Sequence, residues 1–274
     1  MSYNEEAVRA FEHAGWERAA ATYDQSFETA TRTFIPDLLK AARIEPGQRV
    51  LDVACGHGLG AAAAAEQGGK VTGVDFSAAM LAEARTRHPS LTFDQGDAQS
   101  LPYDNASFDV VISNFGVHHV PNPMAALSEA RRVLRPGGRV AFTIWAAPSE
   151  NLAWRLLFDA IARCGNPSAS DAPRPGGGFA TAEHCRTALA DAGFLNADTQ
   201  LLRQRWVHAD AAALVAALQA GTARMSALIA AQAPAAMPAI IADMDAHAAE
   251  WRTPDGLAVP IAAVVASAVS GQEH

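Results

Sequence analysis

Apolar residues recur at three- to five-residue steps from Val8 through Phe11, Trp16, Ala19, Tyr23 and Phe27, the spacing of one helical face. The spacing predicts one or two N-terminal helices before Pro36. From Arg49 the pattern changes. Arg49-Val-Leu-Asp-Val-Ala54 is a short β-branched run of the kind buried in parallel sheets, set off by Pro46-Gly47 before it and the turn Cys55-Gly-His-Gly-Leu-Gly60 after it. A helix follows over Ala61–Gln67, a strand over Lys70–Asp75, a helix over Ser77–Arg87 capped by Ser77, and a strand over Leu91–Gln95. Phe108–Ser113 predicts a fourth strand, Asn122–Leu134 a helix stopped by Pro136-Gly137-Gly138, and Arg139–Trp145 a fifth strand.

Beyond Trp145 the regularity loosens. Asn166–Gly178 is rich in Pro, Gly, Ser and Asp and reads as a loop; a helix over Thr181–Ala192 closes at Gly193, and a sixth strand runs to Leu202. Ala209–Glu250 has helical composition broken at Pro234 and Pro238, and the Val-rich Leu257–Ala268 predicts a last strand. Strands that alternate with helices imply α/β architecture: a doubly wound, mostly parallel, seven-stranded sheet whose crossovers cover both faces, with helical insertions late in the chain.

Composition narrows the function. With 50% hydrophobic residues the 274-residue chain has ample material for a core, and a net charge of −8 argues against the clustered cationic surface that a nucleic acid requires. Cys55, Cys164 and Cys185 are too few and too scattered for a disulfide framework or a metal pair, so no metal is expected and a reducing cytoplasm is. Glu5, Glu6, Arg9, Glu12 and His13 do not make a signal peptide, and no run approaches the ~20 apolar residues of a membrane span.

The turn after the first strand carries the chemistry. Gly56 and Gly58 let backbone approach a ligand closely at the start of a helix, and Asp75 lies 19 residues after Gly56, near the ~20 at which a carboxylate meets ribose hydroxyls in doubly wound folds. An adenosine-type ligand is indicated. Gly56-His57-Gly58-Leu59-Gly60 is not G-x-G-x-x-G, since Ala61 stands at the third glycine position, so pyrophosphate is poorly served. Asp52, out of place beside a pyrophosphate, suits a ligand with an ammonium group. S-adenosylmethionine is that ligand.

The chain resembles the class I S-adenosylmethionine-dependent methyltransferases, in particular the subfamily that includes the ubiquinone/menaquinone C-methyltransferases and many small-molecule methyltransferases. The match runs from about Trp16 to Trp145 through Val50-Leu-Asp-Val-Ala-Cys-Gly-His-Gly58, Gly73-Val-Asp-Phe-Ser77, Gly96-Asp-Ala98, Leu101-Pro-Tyr-Asp-Asn-Ala-Ser-Phe-Asp-Val-Val111 and Leu134-Arg-Pro-Gly-Gly-Arg139. The resemblance implies a Rossmann-like fold in one methyltransferase domain over 1–274: an N-terminal helical cap (1–40), a cofactor-binding core (41–148), and cap segments (149–180 and 209–255) over an acceptor site. It implies that Asp52, Ala54, Gly56 and Gly58 lie against the methionine part, that Asp75 holds the ribose, and that Gly96, Asp97 and Ala98 meet the adenine. Phe76 and Met80 would pack on the adenine, Asn114 would contribute near the methionine end, and Tyr23 would close over it.

Methyl transfer needs a positioned nucleophile in a dry site. His118 and His119, in Asn114-Phe-Gly-Val-His-His119, stand at the open end of the sheet where the quinone C-methyltransferases carry Arg-Asn. The departure points away from a quinone precursor, and either histidine suits a general base, His118 being favoured. Phe27, Phe115 and Trp145 are candidate acceptor contacts, and the acceptor is expected to be a small, largely apolar or aromatic molecule. The alternatives are a nicotinamide-dependent oxidoreductase, which wants the missing third glycine, and a cofactor-binding scaffold without turnover.

Overall fold

A computed structural model describes residues 4–173 and 179–271, so the loop expected over 166–178 lies from residue 174 onward outside the described residues. The chain opens with α1 (Glu5–Ala19), capped by Asn4, and passes through α2 (Glu28–Thr31) and a 3-10 turn into α3 (Ile35–Ala42). Pro36, expected to follow a helix, instead sits in the first turn of α3, where its missing amide hydrogen leaves nothing unpaired. Next come β1 (Arg49–Val53), α4 (Leu59–Glu66), β2 (Lys70–Asp75), α5 (Ala78–Arg87), β3 (Thr92–Gln95), β4 (Phe108–Asn114), α6 (Pro123–Val133) and β5 (Leu134–Trp145). The remainder is α7 (Leu152–Cys164), α8 (Ala182–Asp191), β6 (Phe194–His208), α9 (Ala211–Gly221), α10 (Ala223–Ala230), α11 (Met237–His247), β7 (Arg252–Thr253) and β8 (Gly256–Ser270).

The sheet runs β3-β2-β1-β4-β5-β8-β6, with the two-residue β7 folded back on the start of β8. Seven long strands match the expectation, and β7 makes an eighth. β1 to β5 are parallel to their neighbours, whereas β8 lies antiparallel between β5 and β6. Side chains alternate along the central strands. Val50, Val110, Ile112 and Ala141 face Leu38, Ala64 and Leu81 of α3, α4 and α5, while Leu51, Val111, Val140 and Phe142 face Leu127 of α6 and Leu189 of α8. Each fully buried leucine or phenylalanine contributes roughly 1.5–3 kcal/mol, so both faces must be covered.

Three elements depart from the expected pattern. β5 begins at Leu134 and absorbs Pro136-Gly137-Gly138 as an irregularity, its register shifting between Phe108 and Val110 and Gly137 taking φ +77°. β6 continues beyond Leu202 to His208. As an edge strand it needs one apolar face only, and it buries Leu202 and Trp206 while exposing Val207 and the polar residues between. α7 occupies what the loosened pattern left open. Leu152, Leu156, Leu157, Ala160 and Ile161 bury one helical face against a third core that also contains Trp154, Trp206 and Leu214.

Sheet residues Trp145, Trp206 and Val259 belong to this third core, and a buried amide adds a polar link between the start of α7 and β8. The Asn151 side chain is fully buried; its Nδ2 donates to the Ala146 carbonyl at 2.7 Å, and its Oδ1 accepts from the Ala262 amide of β8 at 2.7 Å. It thereby fixes the turn between β5 and α7. Asn151→Ala strands two backbone groups and should lower unfolding stability by roughly 2–4 kcal/mol, read as a drop in urea midpoint. A loss below about 0.5 kcal/mol would show that the turn holds without it.

Candidate functional site

Because β1 to β4 are parallel, Val53, Asp75, Gln95 and Asn114 all end at one edge of the sheet, and the order of strands reverses between β1 and β4. A crevice opens at such a switch point. Here it is a solvent-connected cleft with a cavity volume of about 110 Å³. The N-terminal segment roofs it with Arg9, Trp16, Tyr23, Glu28 and Thr31.

The floor begins with the turn after β1, where Ala54, Gly56 and Gly58 all take positive φ, +54°, +53° and +80°. The two glycines answer to different constraints. A Cβ on Gly56 would meet nothing within 4 Å, so this position faces open cleft, whereas a Cβ on Gly58 would strike the Phe93 ring at 2.7 Å. Gly58 then serves as the N-cap of α4. Gly116 has a third reason, since its Cβ would strike that of Ala54 at 2.5 Å.

Asp75 is buried at the end of β2 and accepts two amides, Gly56 on Oδ2 and Ser77 on Oδ1, each at 2.9 Å. Burial pushes its pKa up and these amides pull it back. Asp75 also lines the cleft. Asp52 differs. It is 1% exposed, neither oxygen has a hydrogen-bond partner among the described residues, and its pKa is pushed up to about 7 by burial, with the Asp75 charge adding to the effect. The Ala61 amide is close enough to oppose that rise without making a hydrogen bond. An orphaned buried carboxylate beside the open Gly56 fits an ammonium group.

Gly96, Asp97 and Ala98 line the cleft beyond β3, with Phe76 and Met80 beside them. Asp97 Oδ1 accepts from the Gln99 amide at 2.9 Å, and its Oδ2 pairs with Arg9 of α1 across the cleft. Asn114 lines the cleft too, but its amide is already engaged: Nδ2 donates to the Thr31 carbonyl at 3.2 Å, and Oδ1 accepts from Thr143 Oγ1 at 2.7 Å. It acts there as a strut between roof and sheet. Tyr23 lines the roof, its hydroxyl 3.3 Å from Thr31 Oγ1 and its ring edge-on to His57.

The histidines part company. His119 lines the cleft and His118 does not; both His118 nitrogens are buried without a partner, and burial holds its pKa well below the usual imidazole range. The preference for His118 is therefore corrected in favour of His119. Of the three acceptor candidates only Phe115 lines the cleft. Phe27 and Trp145 sit behind it in an aromatic cluster, Trp145 stacked on Phe115 with centroids 4.1 Å apart and Phe27 edge-on to Trp145 at 5.5 Å. The cap also differs from expectation. No described residue of 149–180 or 209–255 lines the cleft, because α7, α9 and α11 pack on the third core instead.

Sequence reading missed Glu12, Glu28 and His57, all buried. His57 Nε2 lies 3.0 Å from the Ala20 carbonyl and its Nδ1 3.2 Å from Glu28. Their signal was present: Val8, Glu12 and Trp16 share one helical face at four-residue spacing, and a carboxylate in an apolar stripe demands a partner. Among the described residues no cluster of three or more His, Cys, Asp or Glu side chains is arranged for a metal.

Residues 51–142 match the model of a methyltransferase-domain family. The demethylmenaquinone methyltransferase of Beutenbergia cavernae is 44% identical over 110 residues, 40% of this chain and 46% of that protein. The malonyl-[acyl-carrier protein] O-methyltransferase of Erwinia billingiae is 36% identical over 162 residues, 54% of this chain and 64% of that protein. The chain thus spans about half the length of the curated relatives it matches. Among solved structures, the YcgJ protein of Bacillus subtilis superposes with a TM-score of 0.60 at 18% identity, covering 88% of this chain and 100% of that one.

Asp52 makes apo stability depend on pH. Its folded pKa lies above the ordinary carboxylate range, so its contribution is fully present below about pH 4 and is lost as pH rises through about 7. Asp52→Asn should therefore melt at nearly the wild-type temperature at pH 4 and above it at pH 8, by differential scanning fluorimetry. An identical gap at both pH values would show that Asp52 titrates normally.

The strand order, the glycine turn and the acidic residue that ends β2 coincide with this match: residues 51–142 are similar to the methyltransferase-domain family, in a chain whose fold is that of the solved structure above.

Proposed function

We propose that the protein transfers a methyl group from S-adenosylmethionine to a small, largely apolar or aromatic acceptor by in-line displacement, leaving S-adenosylhomocysteine. The observation that carries this reading is the convergence of Asp75, the open Gly56 and the orphaned Asp52 at the switch point. Pyrophosphate would meet Asp52 unfavourably, and a ligand with hydroxyls and an ammonium group meets all three. When bound, S-adenosylmethionine supplies a methyl group made electrophilic by its sulfonium. The chain's part is to hold that ligand, orient an acceptor and exclude water.

Strand order lays out the subsites. Asp97, Ala98, Phe76 and Met80 serve the adenine, Asp75 the ribose, and Asp52, Ala54 and Gly56 the methionine end, with Asn114 and Tyr23 framing it. Trp16, Phe115, His119 and Val120 form a mostly apolar wall with one basic nitrogen. That composition favours an acceptor methylated on oxygen or nitrogen whose proton His119 takes; methylation of carbon needs the same wall and a more acidic C–H. The N-terminal segment 1–40 acts as the cap over the core 41–148. No described helix is by itself long and apolar enough to cross a membrane, and the three free cysteines fit a reducing cytoplasm. A small-molecule acceptor is the partner.

A tritiated-methyl screen over phenols, amines and carboxylates tests turnover and acceptor class together. Calorimetry should show S-adenosylhomocysteine binding and no NAD binding, and Asp75→Ala should weaken the former by roughly 1–3 kcal/mol. NAD binding with no response to either sulfur compound would overturn the reading. With an acceptor in hand, His119→Gln should lower kcat by roughly 10²- to 10⁴-fold with cofactor affinity unchanged.

A further inference from the structure

The roof of the cleft contains a charged cluster that cofactor binding does not use. Glu12, on the inward face of α1, is 1% exposed. Its Oε2 accepts from Trp16 Nε1 at 2.9 Å and lies 3.2 Å from His119 Nδ1, while its Oε1 pairs with Arg224 at the start of α10. Burial alone would raise its pKa, yet His119, Arg224 and the Trp16 donor bring it below the usual carboxylate value. These partners favour the ionised form of Glu12 against the pull of burial. Trp16 also packs edge-on against the His119 ring, centroids 5.0 Å apart, which restricts its rotation.

An imidazole held this way has one open nitrogen. The Glu12 carboxylate, 3.2 Å from a buried Nδ1 that makes no hydrogen bond among the described residues, draws the ring proton to that nitrogen, which leaves the Nε2 lone pair on the opposite edge of a ring that lines the cleft. We propose that Glu12 is a positioning residue: it fixes the Nδ1–H tautomer of His119 and so prepares Nε2 to take the acceptor's proton. The proposal rests on the methyl-transfer reading above. In that step the acceptor O–H or N–H bond breaks and an Nε2–H bond forms. The freed electron pair makes the bond to the methyl carbon, whose former bonding pair stays with sulfur. His119 ends as an imidazolium beside the Glu12 carboxylate and returns its proton to solvent. Arg224 keeps Glu12 from becoming the proton's destination, and the neighbouring His118 ring, 4.2 Å from His119, stays neutral because burial opposes its protonation.

The carboxylate and its histidine come from different parts of the chain. Glu12 belongs to α1, Arg224 to α10, and His119 to the turn after β4. The close approach that joins α1 to α10 is made by Gly15, where a Cβ would collide with that of Ala223. The base is thus assembled only when the roof is seated.

Long-range proton–nitrogen NMR on histidine-labelled protein reads the tautomer directly, without an acceptor. Wild type should show His119 protonated on Nδ1, both alone and with S-adenosylhomocysteine. Glu12→Gln, which keeps an oxygen for Trp16, should shift His119 toward a mixture or toward Nε2–H, and with a turned-over acceptor should lower kcat by roughly 10²-fold with KM unchanged. An Nε2–H tautomer in wild type overturns the proposal even if the variant fails to fold. So does an unchanged tautomer in Glu12→Gln. Failure of wild type to bind S-adenosylhomocysteine would instead sink the methyl-transfer reading while the tautomer result still stood.

Discussion

The site depends on one buried carboxylate. Asp75 ends β2, and by accepting the Gly56 and Ser77 amides it ties the turn after β1 to the start of α5. That tie joins the Cys55–Val74 and Gly58–Cys55 backbone hydrogen bonds in holding the turn, which has three residues in the left-handed region, in a conformation that L-residues such as Ala54 resist. Burial, which raises its proton affinity, is tolerated because the two amides offset it.

The roof is attached by a different kind of force. Glu17 accepts from Ser77 Oγ at 2.7 Å and from the Ala79 amide at 3.2 Å, His57 meets Ala20 and Glu28, Asn114 holds Thr31, and Glu12 meets His119. Polar links of this sort are directional but individually modest, about 0.5–1.5 kcal/mol net for a neutral hydrogen bond and more for a charged one. Phe27, Ala30 and Phe34 of the same segment are buried in the third core, so apolar packing and these directional links together give the roof one seated geometry.

The core was legible because its rules are local. Short β-branched apolar runs, the Pro-Gly and Gly-rich turns, the Ser77 cap and the acidic end of β2 each state their structure within a few residues. What escaped depends on partners distant in the chain. Nothing near Asn151 announces that it will meet Ala262 of β8, and nothing near Glu12 names His119, over a hundred residues on. The placing of Phe27 and Trp145 behind the cleft was hidden for a related reason: an aromatic residue at the open end of a sheet can face the cleft or back the residue that does, and sequence spacing does not distinguish them.

That backing has its own mechanical role. Phe115 follows β4 with φ +60°, a conformation that costs a bulky side chain on the order of 1–3 kcal/mol. It is held there on both sides: its amide donates to Thr143 Oγ1 at 2.9 Å, and its ring stacks on Trp145, which is braced in turn by Phe34 and Trp154. Thr143 also donates to Asn114, so the strained residue, the strut to the roof and the end of β5 share one hydrogen-bonded node. The aromatic cluster thus acts on the cleft from behind, through the angle at which it presents Phe115: enlarging or trimming Phe27 or Trp145, neither of which lines the cleft, changes the shape of the wall that Phe115 forms.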